Sequence, residues 1–492
     1  MKRGRRIFPV VAVSLSLLTF TVVSGGASRA AEQPAAVQLK PEVLNTKRLT
    51  IEQAISGAMS NYPQIVQRLE EVQAAKSGVT LQKMREYVPQ GLSTWESVAA
   101  SHNKLTQILF GNPVLVANPG PGLDPEHQTM HGTFYNGSGF LFDWSGIDFG
   151  LHKARITEAR ANVVQAQAHL GVTQLDVAES AALAFLNVVT GQEQLRAQQA
   201  NVHRMEIVRD IVRGLVLSGL RPGVDLSIAE AQLAQARNGE IEARQQLSIA
   251  NARLALAVGE PGLNIEVDPA PVEKETRPVL TVTLNDFSAH PLALAQRSAI
   301  GILQAHSRVV SKSSYPEIHW LGGMNFRGSG LDIHGHWQAK DAYGWLPNVT
   351  NWNVGMMVNW DFLAWVKNNQ EVRVLRHRVA AEQAGYRQIV QNLVAQNREA
   401  RAMVEGAVAL AQNTVIQVQA ASEAELRART RYESGLANIA EVAQAERLLT
   451  EAQVQMSVAR VRVWSSLLAV SNSRGDIKPF LNQIATARQQ GM

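Results

Sequence analysis

The sequence predicts a mostly helical chain with a minority of strand, assembled from two structural repeats. Three observations carry this. A heptad stripe of large residues and alanine occurs twice, each copy introduced by the same tripeptide. Tryptophan is almost confined to short segments that alternate with period two. The stretches between are long and rich in Ala, Gln, Glu, Arg, Leu and Val, the composition of helices. A duplicated unit of long helices points to a repeat architecture and away from a compact enzyme.

The first thirty residues stand apart from that pattern. Lys2, Arg3, Arg5 and Arg6 form a basic n-region, an apolar run extends from Ile7 to Val23, and Ser28-Arg29-Ala30 offers small residues where a peptidase cuts. This is the pattern of a secretory signal peptide, residues 1–30. The competing reading is a permanent anchor, against which Pro9 and several hydroxyl residues interrupt an already short stretch. The segment holds five of the 47 Lys and Arg and no acid, leaving 42 bases against 42 Asp and Glu. The formal +5 therefore belongs to the precursor and is no ground for nucleic-acid binding. The chain contains no Cys, which excludes disulfides, thiol chemistry and a cysteine-linked lipid anchor. No later stretch reaches about 18 uninterrupted apolar residues, so a membrane role has to come from strands.

Helices are predicted from about Ile51 to Tyr87, Gly150 to Leu217 and Val224 to Val258. The second half repeats them at about Leu292 to Ser313, Leu363 to Glu433 and Ala437 to Val470. In the first returning helix the seam reads Leu226, Leu233, Glu240, Leu247 and Leu254 against Ala229, Ala236, Ala243, Ala250 and Ala257. Its counterpart reads Val442, Leu449, Met456, Val463 and Val470 against Ala445, Ala452, Ala459 and Ser466. Large residues at one seam position and small ones at the other let two long helices approach closely in left-handed packing. Gly259-Glu260-Pro261-Gly262 stops the first run.

Strands are predicted at about 92–100, 133–144, 317–328 and 351–362. In the last, Trp352, Val354, Met356, Val358, Trp360 and Phe362 alternate with Asn351, Asn353, Gly355, Met357, Asn359 and Asp361. Such alternation, with Trp at the ends of the apolar face, suits a strand whose outer face meets lipid. A half-buried strand in a soluble sheet is the other reading; the export address and the tryptophan clustering favour lipid. Turn-rich segments, Asn112–Gly132 and Leu331–Asn348, read as exposed hairpin ends. The layout is then a first repeat at 31–260, a proline-rich linker at 261–288, a second repeat at 289–472 and a tail at 473–492.

Taken in this order, residues 51–472 resemble the TolC-like outer-membrane efflux proteins. Each half of that family runs helix, strand, strand, long helix, short tip, long returning helix. The residues that carry the resemblance are Asn61-Tyr62-Pro63 and His290-Pro291 opening the halves, and Pro89 and Pro316 between helix and strand. Asp148-Phe149-Gly150 and Asp361-Phe362 stand between strand and helix, and Ser218-Gly219-Leu220 and Ser434-Gly435-Leu436 form the tips. The resemblance implies a homotrimer, because four strands cannot close a barrel whereas three copies supply a 12-stranded outer-membrane β-barrel. The long helices would continue as a coiled-coil periplasmic α-barrel. A periplasmic adaptor and an inner-membrane pump would be the partners, with outer-membrane lipid around the barrel. No cofactor and no catalytic role is implied.

Asp332, His334 and His336, or His127 with His131, invite a metal reading, but they fall in loops and no Cys supports them. Gly120-Pro121-Gly122 has no strand-to-helix context for cradling phosphate, and no nucleophile elbow, zincin motif or P-loop occurs. Asp225 and Glu441, each six residues past a tip glycine, are at least first-turn acids that complement a helix dipole. In the implied trimer, three copies of each would form a cation-selective ring at a narrow aperture. The tips are at least helix reversals, and the resemblance adds adaptor contact at their leucines. The competing function is a non-transporting periplasmic coiled-coil scaffold such as an adaptor. That protein would have no use for Trp-rimmed strands in both repeats.

Overall fold

The computed structural model describes residues 46–101, 132–269, 286–329, 344–347 and 349–489. The signal peptide, the histidines at 127, 131, 334 and 336, and most of both hairpin loops lie outside them. The first element is β1 (Thr46–Leu49), followed by α1 (Ile51–Asn61). Thr50 opens α1 through a capping box with Gln53, and the helix buries Ile51, Ala54, Ile55 and Ala58 along one stripe. A single helix over 51–87 is expected, and the structure divides it. Proline restricts the residue before it to extended backbone, so Tyr62 leaves the helix and Pro63 starts α2 (Pro63–Tyr87) afresh.

Next come β2 (Gln90–Ser101), β3 (Gly132–Ile147), α3 (Leu151–Leu217), α4 (Gly223–Val258) and β4 (Asn264–Val267). The second half contributes α5 (Pro291–Lys312), β5 (Glu317–Ser329), β6 (Val349–Asn359), α6 (Ala364–Glu433), α7 (Ile439–Ser473) and α8 (Lys478–Gln489). The α3 helix has 67 residues and α6 has 70, so each is about 100 Å long at ~1.5 Å per residue. The same device turns strand into helix in both halves. The Asp148 carboxylate accepts from the N–H groups of Gly150 and His152, and Asp361 accepts from Leu363 and Ala364 at 3.1 Å each. That turn ends β6 at Asn359, before the Phe362 limit expected from alternation.

Two features were not legible in the pattern. Within the stretch expected to be linker, β4 pairs in parallel with β1, bringing Ile265 beside Lys47 and Val267 beside Leu49. The expected tail forms α8, whose Phe480 and Ile484 are buried and whose Phe480 ring meets Trp464 edge-on at 6.4 Å. These pieces enter one core with Phe185 and Leu186 of α3 and Leu467 and Leu468 of α7. A second core, with Val208 and Val212, Ala229 and Leu233, and Tyr432 and Val442, sits near the tips. The two returning helices are not equally covered. Val442, Leu449, Ala452 and Ala459 of α7 are buried, since α7 packs on both α6 and α3. In α4, which packs chiefly on α3, the seam is buried at Ala229, Leu233, Ala236 and Leu254 but half-exposed at Glu240, Ala243 and Leu247.

Candidate functional site

The larger sheet is antiparallel with order β2-β3-β5-β6, and its register sorts residues by face. Trp144, Trp320 and Met356 are cross-strand neighbours; so are Phe142, Gly322 and Val354, and Phe140, Met324 and Trp352. These rows form an apolar face on which Trp352 is 76% exposed and Val354 75%. The other face carries Gln90 beside Asp143, Asn325 beside Asn351, and Gly323 beside Asn353. On it the His319 imidazole lies 2.9 Å from the Asp143 carboxylate. One face is therefore suited to hydrocarbon and the other to water. Among the described residues, the outer edges of β2 and β6 have no partner strand, so the sheet is open on both sides.

About 100 Å of α3 away lie the two tips. Gly219 has φ +75° and Gly435 φ +80°, the left-handed backbone that lets each helix close in a Schellman turn. In the first turn Leu220 N–H donates to Leu215 O and Gly219 N–H to Val216 O; in the second Leu436 donates to Arg431 and Gly435 to Tyr432. The Ser218 hydroxyl donates to Leu215 O and the Ser434 hydroxyl to Thr430 O, which satisfies carbonyls left over at the helix ends. The leucines that follow point outward, Leu220 at 71% exposure and Leu436 at 72%.

The structure ties the first tip to the second. Arg221 donates through Nη2 to Tyr432 O at 3.1 Å and Ala437 O at 2.9 Å, and its guanidinium lies 4.6 Å from the centre of the Tyr432 ring. The Tyr432 hydroxyl, 2% of whose residue is exposed, donates to Asp225 Oδ2 at 3.2 Å. Burial, and after it the Asp225 charge, push that hydroxyl up to about 12. Arg221 and Tyr432 were missed by sequence reasoning. The signal was an asymmetry between repeats, since Arg221 follows the first Ser-Gly-Leu while Ala437 follows the second. Tyr432 is also an aromatic in an otherwise aromatic-poor helix end. The two acids expected at the aperture differ in setting: Asp225 is held by Tyr432, whereas Glu441 is exposed in the first turn of α7. The Asn438 side chain caps that turn, accepting from the Glu441 N–H at 2.9 Å.

The model of the outer membrane efflux protein family matches residues 136–260 and 293–475, more than half of the chain. The fold is similar to that of CusC, at 17% identity and a TM-score of 0.70, covering 87% of this chain and 92% of that one. It is similar also to VceC from Vibrio cholerae, at 16% identity and TM-score 0.65, covering 87% and 96%. The open-state MtrE channel of Neisseria gonorrhoeae aligns at 16% identity and TM-score 0.67, covering 87% and 89%. No curated sequence matches the chain. Because the matched residues run through both halves and both tips, the chain belongs to the outer membrane efflux protein family, with its sheet in the outer membrane and its long helices in the periplasm.

Proposed function

We propose that the protein is the exit duct of a tripartite efflux or type I secretion system, conducting substrates passively from a periplasmic adaptor and inner-membrane pump to the exterior. The observation that carries this reading is the four-stranded sheet, apolar on one face, polar on the other and open at both edges. Three copies joined edge to edge make twelve strands with a water-lined interior. A non-transporting periplasmic scaffold has no use for such a sheet. The exposed Leu220 and Leu436 are the contacts for adaptor hairpins, with Ser218, Gly219, Ser434 and Gly435 shaping the turns that present them. In the trimer, Asp225 and Glu441 form an acidic aperture, and the tie from Arg221 through Tyr432 to Asp225 holds each subunit's tips together. No residue is assigned a catalytic role and no cofactor is required. Reconstitution in planar bilayers tests the proposal: discrete, cation-selective conductance supports it, and helical protein that extracts without detergent and conducts nothing overturns it.

A further inference from the structure

Where the sheet passes into the helices, its apolar face continues for one more layer and a cationic layer follows. Ile147 stands opposite Ile318 and Trp144 opposite Trp320 on that face. Beyond these rungs Phe149 stacks on Tyr315, their ring centres 6.1 Å apart, and the Trp360 indole donates to Ser314 O at 3.2 Å. All three rings are about half exposed, as aromatics at a membrane–water interface are. The Lys312 ammonium lies 4.9 Å from the centre of the Tyr315 ring. Its stem reaches α3, where a Cβ built on Gly150 would stand 3.9 Å from Lys312 Cε. Arg308, one turn earlier on α5, shares that side of the helix. Lys153 is in the first turn of α3, and both it and Arg308 are exposed.

No carboxylate answers these charges. Among the described residues, Lys153, Arg308 and Lys312 form no ion pair. The last five residues of α2 and α5 and the first five of α3 and α6 hold one acid, Glu86, which is buried against His152 at 3.1 Å and Arg155 at 3.3 Å. Asp148 and Asp361 accept from backbone N–H groups, and Glu317 faces His319 on the water side of the sheet. The next acid along α3, Glu158, is 2.8 Å from His306. A headgroup layer is about 5–8 Å deep, and Arg308 lies ~6 Å from Lys312 along the helix, so the cations sit at headgroup depth. The α3 and α5 helices continue β3 and β5, the two inner strands, so a copy joined at the open edges leaves this junction uncovered. We propose that the junction binds the headgroup phosphate of an anionic phospholipid in the periplasmic leaflet of the outer membrane. Lys153, Arg308 and Lys312 take the phosphate, and Phe149 and Tyr315 cover the glycerol and the first acyl carbons. A zwitterionic headgroup brings its own ammonium, which the three cations repel, and inorganic phosphate lacks the apolar part that the rings cover. The inference rests on the sheet's place in the outer membrane and not on conduction.

The test uses the full-length protein, purified in detergent, stripped of lipid and titrated with phosphatidylglycerol or with phosphatidylethanolamine, bound lipid being counted by native mass spectrometry. Phosphatidylglycerol should bind about tenfold or more tightly than the zwitterionic lipid, and the preference should shrink as salt is raised. Each cation near an anionic lipid is worth about fivefold in affinity, so Arg308→Gln with Lys312→Gln should erase the preference. Tyr315→Ala should weaken both lipids alike, because it removes apolar cover and no charge. Equal affinity for the two lipids, or a preference that survives the double variant, overturns the proposal. So does inorganic phosphate that displaces the lipid at equal concentration, which would make this a site for the free ion. A double variant that falls apart into single chains would assign the two cations to contacts between copies, and overturns it too. Should the double variant fail to fold by circular dichroism, Lys153→Gln carries the same test with an expected loss of about fivefold.

Discussion

At Tyr432 one side chain touches both helix tips, and its chemistry makes the tie separable into parts. Tyr432→Phe keeps the ring under Arg221 and removes only the hydroxyl bond to Asp225. A hydrogen bond to a charged group contributes about 1.5–3 kcal/mol, so the variant should loosen the tie between the two tips, read as hydrogen exchange about tenfold or more faster at both tips. The hydroxyl's affinity for its proton is raised, so the tie is complete below the ordinary tyrosine range of about 10 and is lost as pH rises through about 12. A spectrophotometric titration of wild type against Tyr432→Phe should isolate one tyrosine ionising near about 12. Changing Asp225 to Asn and Glu441 to Gln together removes the acidic charge with little change in size. Cation selectivity and block by divalent ions should both fall, most visibly at low salt. Recordings indistinguishable from wild type would reduce the two acids to helix-start residues. Arg221 shows why this site was half legible: the acids sit at repeated positions, whereas the arginine's partners are 211 and 216 residues away.

Elements with strong local chemistry were readable, and those formed by distant partners were not. The tips need a left-handed residue, and glycine supplies it at both. A Cβ built at Gly219 or Gly435 meets nothing within 4 Å, so Gly219→Val strains the turn without a clash. Left-handed backbone costs an ordinary residue about 1–2 kcal/mol, so adaptor cross-linking should weaken while trimer formation survives. Unchanged cross-linking and unchanged drug resistance would remove the tip from the adaptor interface. The α8 helix is the opposite case: its burial depends on Trp464 and the upper core, neither near it in sequence. Phe480→Ala should destabilise by about 3–5 kcal/mol, measured as a lowered melting temperature; an unaltered transition would mean that α8 is not part of the cooperative unit. The β1–β4 pair, joined in parallel across more than two hundred residues, is invisible to periodicity for the same reason.

For the whole molecule, the open sheet edges lead to an assembly prediction. Protein extracted in detergent should be trimeric by mass, with circular dichroism dominated by helix and a minor strand component; a stable monomer with full helicity would sink the channel reading. The sequence by itself determined the two repeats, the long helices, the four strands with their apolar and polar faces, and the glycine tips. Each of these follows from residues within one turn, one pleat or one heptad of each other. Only the tertiary structure decided that the tail docks as α8 and that Arg221 and Tyr432 tie the tips. It alone covered one returning helix more fully than the other. Those outcomes depend on which faces meet once helices of about 100 Å lie side by side, and periodicity defines a face without naming the surface that covers it.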